Sequence, residues 1–196
     1  AFIYSANGGS GAPMDGSIYS IGSAATISNI VPVRTGYAFC GWSTSQDAQS
    51  AEYEPSDSLT FSDTDVILYA VWRANAYTVT YNAAGGEGVM QDSAYSYGTI
   101  GALSGNVFVK EGFAFVGWAL SEGGVCVFAD GDEVLNLSDE NGANIALYAV
   151  WEQIKTLITF DADGGTGGSA NLSVGYGDTL SASGLIAPVR NGYTFG

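Results

Sequence analysis

Three blocks of this 196-residue chain repeat one another, which commits the chain to several small units of one kind instead of one large core. Tyr4-Ser5-Ala6-Asn7-Gly8-Gly9 lines up with Tyr81-Asn82-Ala83-Ala84-Gly85-Gly86 and with Phe160-Asp161-Ala162-Asp163-Gly164-Gly165. A second landmark follows in each block. Val33-Arg34-Thr35-Gly36-Tyr37-Ala38-Phe39-Cys40-Gly41-Trp42 matches Val109-Lys110-Glu111-Gly112-Phe113-Ala114-Phe115-Val116-Gly117-Trp118, then Val189-Arg190-Asn191-Gly192-Tyr193-Thr194-Phe195-Gly196. The third landmark, Leu68-Tyr69-Ala70-Val71-Trp72, recurs letter for letter at Leu147-Tyr148-Ala149-Val150-Trp151. The units therefore run 1–73, 74–152 and 153–196, the last being the first half of a repeat. The linkers at 73–76 and 152–156 are short, which favours a semi-rigid string over freely tumbling beads.

Within a unit the dominant period is two. In Tyr77-Thr78-Val79-Thr80-Tyr81 large apolar residues alternate with threonine, the pattern of a half-buried strand. The glycine pair that follows supplies a turn, and a second strand through Tyr95 and Tyr97 completes a hairpin. The Gly-Trp block and the closing Leu-Tyr-Ala-Val-Trp run are apolar on both faces, so they belong inside a sheet or under a covering segment. A further hairpin is expected through Val125–Phe128 and Glu133–Leu135. Segments 99–107 and 179–186 have room for one or two helical turns, and glycine and serine oppose anything longer.

Together these features, a strand ending in aromatic-x-x-x-Gly-Gly, a Gly-aromatic-x-Phe-x-Gly-Trp block and a closing Leu-Tyr-Ala-x-Trp over about 78 residues, resemble the B-repeat of internalin-type bacterial surface proteins, the Listeria–Bacteroides repeat. The resemblance covers the whole chain. It implies an α+β, mainly β architecture of tandem small β-grasp-like repeats, strand-rich with at most one short helix each. It also implies an extracellular location, on the bacterial cell surface or secreted, and a role as stalk or spacer that takes part in adhesion. The family brings no catalytic residues to transfer. The residues that carry the resemblance are structural landmarks: Gly8, Gly9, Gly36, Trp42 and Trp72; Gly85, Gly86, Gly112, Trp118 and Trp151; and Gly164, Gly165 and Gly192. Cys40 departs from the pattern, standing where an ordinary apolar residue is usual.

Reactive chemistry is scarce. The chain has no histidine, which removes Ser-His-Asp and Cys-His catalysis and the common zinc sites. Its lysines, Lys110 and Lys155, both read as exposed and offer no buried base or Schiff-base former. Cys40 and Cys126 are too few for a disulfide scaffold and read as small buried hydrophobes. Asp161-Ala162-Asp163-Gly164-Gly165 opens like a calcium loop, but Leu172 stands where the bidentate glutamate belongs. Asp130-Gly131-Asp132-Glu133 reads as a hydrated acidic turn. The Gly-Gly-x-Gly runs lack the Lys-Ser or Lys-Thr of a phosphate loop. The four tryptophans sit in repeated landmarks and read as core, leaving Tyr95 and Tyr97 as the residues available to a glycan or a partner. No catalytic residue, cofactor or metal is expected.

With 20 acids against 5 bases, the formal charge is −15, incompatible with neutralising a run of nucleic-acid phosphates. The blocks carry 7 acids with 2 bases, 10 with 1, and 3 with 2. Such a surface repels its own copies and stays soluble. No apolar run reaches the length of a membrane span. The start at Ala1, without an initiator methionine or a basic leader, reads as a processed or excised piece. The half repeat needs completion, by a longer chain or by strand addition from a neighbouring molecule. The expected function is a non-enzymatic structural or spacer module, with neighbouring repeats or other copies of itself as partners. The alternative is an adhesive module that recognises a host protein or glycan through strand edges and loops.

Overall fold

A computed structural model describes residues 1–62 and 65–196. The chain divides into two compact units. One comprises residues 1–80, 92–104 and 132–145, and the other 81–91, 105–131 and 146–196.

In the first unit the apolar closing run forms the centre of a three-stranded sheet. Strand β1 (Phe2–Ser5) pairs in parallel with β5 (Val66–Ala74), and β3 (Tyr37–Ser43) pairs with its other edge in antiparallel register. The central place of Leu68–Trp72 is what a run apolar on both faces requires. Across the core, β2 (Ala24–Thr26) and β4 (Ser58–Thr60) form a small antiparallel pair. Between these layers lie Phe2, Ile27, Trp42, Phe61 and Leu68, all nearly inaccessible to solvent. The packing is aromatic. Phe2 lies 4.9 Å from Phe61, Tyr19 stacks on Phe61 at 4.7 Å, and Tyr4 meets Trp42 edge-on at 5.0 Å, offset and edge geometries that aromatic quadrupoles prefer.

In the second block β6 (Ala76–Asn82) pairs in antiparallel register with β7 (Ser93–Ser96), and the closing run, in β11 (Asn144–Gln153), pairs with β9 (Phe113–Ala119) in antiparallel register as β5 does with β3. In the second unit Trp118 is sealed by Tyr81 at 5.0 Å, Phe115 at 4.9 Å and Phe108 at 6.1 Å. β12 (Lys155–Ile158) and β13 (Leu172–Gly175) form an antiparallel hairpin in the third block.

The Gly-Trp strand lies at a sheet edge in both blocks, covered by a following segment. Trp42 N–H donates to Tyr53 O and Trp118 N–H to Phe128 O, each at 2.8 Å. The ladders between β3 and β5 and between β9 and β11 each carry a bulge, beside Cys40 and Val116. The glycine after each bulge is forced, because a Cβ on Gly41 would lie 2.6 Å from Tyr53 O, and one on Gly117 would strike Phe128 O. Cys40 is thus the bulge residue itself, half-buried.

The strand-rich architecture agrees with the sequence reading, and three local expectations do not. Segment 99–107 forms no helix. Its Gly101–Ala102 is β8, which pairs with β10 (Glu133–Val134), and a two-residue pairing across about 30 residues leaves no periodic trace in sequence. The expected hairpin of 125–128 with 133–135 is replaced by that pairing and by a bridge from Phe128 to Trp118. The helical signal at 179–186 reduces to one 3₁₀ turn at Ala182–Gly184.

Candidate functional site at the repeat junctions

One arrangement is built twice where one block meets the next. In the first unit Asn75 N–H donates to Gly36 O at 2.9 Å, and Tyr97 N–H donates to Asn75 O at 2.8 Å. The Tyr97 ring lies against Gly36, where a Cβ would overlap its atoms, and meets Tyr37 edge-on at 5.7 Å. The second unit builds the same ladder with other residues. Ile154 N–H donates to Gly112 O at 2.8 Å, Tyr176 N–H donates to Ile154 O at 2.9 Å, and the Tyr176 ring covers Gly112. Both glycines adopt positive φ, +75° and +76°, so each position is closed to other residues twice over, by backbone and by the ring.

Each linker residue is therefore an ordered rung between the Gly-aromatic strand of one block and the hairpin of the next. Asn75 also donates through Nδ2 to Asp139 O at 2.7 Å. The Tyr176 hydroxyl donates to the Glu111 carboxylate, and this hydrogen bond, with a smaller desolvation contribution, raises the phenol pKa above its ordinary 10.0.

Tyr95 and Tyr97, expected to face a glycan or partner, are both occupied. Tyr97 holds the junction, and Tyr95 stacks on Tyr77 at 5.7 Å and donates its hydroxyl to Ala102 O. The tryptophans divide into two classes. Trp42 and Trp118 are fully buried, whereas Trp72 and Trp151 are half-buried beside the glycine-pair turns and donate Nε1–H to Ala6 O and Ala83 O at 2.9 and 2.8 Å. Those carbonyls belong to the turns of Gly8, Gly9, Gly85 and Gly86. In the third block Gly164 and Gly165 form the equivalent turn, with Thr166 bridged to Val189 as Ser10 is to Val33 and Glu87 to Val109. A Cβ at Gly192 would meet nothing within 4 Å.

Cys126 is exposed and Cys40 half-buried, so the reading of two buried thiols fails: Cys126 lies in an irregular segment outside any strand, and Cys40 at the bulge of β3. Lys155 is exposed, and Lys110 is half-buried with Nζ 4.7 Å above the Phe113 ring. The Asp130 carboxylate accepts from Asn106 N–H at 2.7 Å and Asp161 from Asp163 N–H at 2.9 Å, each anchoring a turn. Glu52 accepts from the N–H and hydroxyl of Thr44, which holds its carboxyl below the ordinary range. Among the described residues no cluster of three or more His, Cys, Asp or Glu has the arrangement of a metal site, and no helix is long and apolar enough to cross a membrane.

The model of the Listeria-Bacteroides repeat domain matches residues 1–71, 77–150 and 157–196. The chain is similar to a protein of Evansella cellulosilytica that bears the name Gly-rich membrane protein, with 32% identity over 164 residues that cover 83% of this chain and 18% of that protein. A second protein of that organism, bearing the name membrane protein, is 30% identical over 165 residues, 84% of this chain and 23% of its own length. The chain thus spans less than a quarter of these curated relatives. No solved structure matches it.

Proposed function

This chain belongs to the Listeria-Bacteroides repeat domain family, and from that premise we propose that it is a non-enzymatic spacer module of a bacterial cell-surface or secreted protein, built of β-grasp-like repeats at 1–73, 74–152 and 153–196. The observation that carries the proposal is the junction built twice from the same parts: a glycine carbonyl, a linker N–H and C=O, and a tyrosine seated on the glycine. A spacer requires successive repeats to be held in one register, and a backbone ladder closed by a ring provides that at little cost in loop entropy. Its partners are the neighbouring repeats and other copies of itself. The names of the relatives support a surface location.

Duplicating residues 1–152 in tandem and comparing the product with the original by small-angle X-ray scattering tests this reading. The maximum dimension should grow in proportion to the number of repeats, and a product that folds back to the original dimension contradicts it. Turnover of a substrate, abolished by a single carboxylate substitution, would overturn the non-enzymatic assignment.

A further inference from the structure

Of the five basic residues, three occupy one structural position. Arg34, Lys110 and Arg190 each lie beside the glycine-pair turn and over the aromatic ring of the next landmark, at 3.9, 4.7 and 4.3 Å from the centroids of Tyr37, Phe113 and Tyr193. Placing the bases there is unexpected in so acidic a chain, because none of the three forms an ion pair among the described residues. Their surroundings differ. Arg190 is spent on Asp163 O at 3.0 Å. Lys110 lies in a groove flanked by Glu87 and Glu111. At the positions of those two glutamates the first block has Ser10 and Thr35, and they line a groove of about 760 Å³ with Arg34, Phe39 and Trp72.

Arg34 is half-buried; its carbonyl accepts from Tyr37 N–H at 3.1 Å, while its guanidinium lies over the Tyr37 ring and makes no hydrogen bond to the protein among the described residues. Stacking on the ring restrains the guanidinium plane and leaves its N–H edge for a planar bidentate acceptor, for which a carboxylate is the matching group. Beyond the cation the groove offers small hydroxyls and aromatic surface, a lining that takes the hydroxyls and the C–H face of a pyranose together. Its volume falls in the range of small-molecule sites. At physiological ionic strength the Debye length is about 8 Å, so the nearest cation governs the groove and the distant acids that dominate the net charge are screened.

We propose that the first-block groove binds a carboxylate-bearing sugar, Arg34 holding the carboxylate and the aromatic wall the ring. The site shares only Tyr37 with the junction and does not depend on the spacer role. The second block is its built-in control, since Glu87 and Glu111 repel the same ligand.

The test is a titration of the isotope-labelled full chain, followed by amide and side-chain NMR signals, with a glucuronate-containing oligosaccharide. Parallel titrations use the same oligosaccharide with its carboxyls reduced to alcohols, and a glutamate-rich peptide. The proposal predicts saturable shifts at Gly8, Ser10, Arg34 and Trp72 and none at Gly85 or Lys110, with the reduced sugar bound about tenfold more weakly or worse. Arg34→Gln should lose the response while keeping the unfolding midpoint, and Arg34→Lys should retain part of it. Introducing Glu87→Ser, Lys110→Arg and Glu111→Thr together should create a second responding site. Absence of saturable shifts at millimolar sugar, equal binding by Arg34→Gln, or an Arg34-dependent response to the peptide alone overturns the assignment.

Discussion

Tyr97 rests its ring on Gly36, a residue of the preceding repeat, at a point where any side chain would occupy the same space. Tyr176 and Gly112 stand in the same relation one repeat later. In a tandem protein such a pair converts a covalent linker into a packed joint, because the ring can be seated only when the linker rung between them is in register.

The glycines therefore separate two costs. Gly36 and Gly192 share φ values near +75° and +79°, but only Gly36 has a ring above it. Gly192→Ala should cost about 1–3 kcal/mol at most, the strain of a left-handed alanine. Gly36→Ala should cost more, since Tyr97 must also leave its seat. Urea unfolding of both variants checks this, and equal midpoints would show that the ring contributes nothing.

The two tryptophan classes predict unlike responses. Trp42 is wholly buried and its Nε1–H has no partner among the described residues, so its role is volume, and Trp42→Ala should cost about 3–5 kcal/mol. Trp72 donates to Ala6 O, and Trp72→Phe should lose about 0.5–1.5 kcal/mol, the worth of one hydrogen bond. Chemical denaturation measures both.

A pH effect is expected at the second junction. The hydrogen bond to Glu111 raises the Tyr176 pKa above 10.0 in the folded chain, so its contribution is fully present below pH 10 and is lost as pH rises through the raised value. Tyrosinate absorbance of the wild type should show one late-titrating phenol beyond any in Glu111→Gln. Identical titration curves would refute the linkage.

Thiol labelling under native conditions should modify Cys126 before Cys40, because Cys126 is exposed while Cys40 occupies the half-buried bulge of β3. Peptide mapping after brief maleimide treatment reads the order directly.

Much of this was legible in the sequence because alternation and recurrence report the strands. Leu68–Trp72 announces a central strand by being apolar on both faces, and the glycine pairs announce their turns. The pairing of β8 with β10 was not legible, since two residues carry no period and their partners lie far along the chain. Tyr97 was misread for a related reason. It stands in the turn that follows the short strand β7, and what meets its ring, Gly36 and Tyr37, is supplied by the previous repeat. The Tyr-Gly step shared by 97–98 and 176–177 was the available signal. The Arg34 groove was hidden because the contrast of Ser10 and Thr35 with Glu87 and Glu111 acquires meaning only once the three bases are seen at one position.

The most direct test of the packed joint is nitrogen-15 relaxation of the full chain at the linker amides, Asn75 and Ile154. Both amides donate to glycine carbonyls, and order parameters near the rigid-backbone value of about 0.85 are predicted, with a fall at Asn75 in Tyr97→Ala. Wild-type values below about 0.6 would mean that the linkers move freely and that the joint does not hold the repeats together.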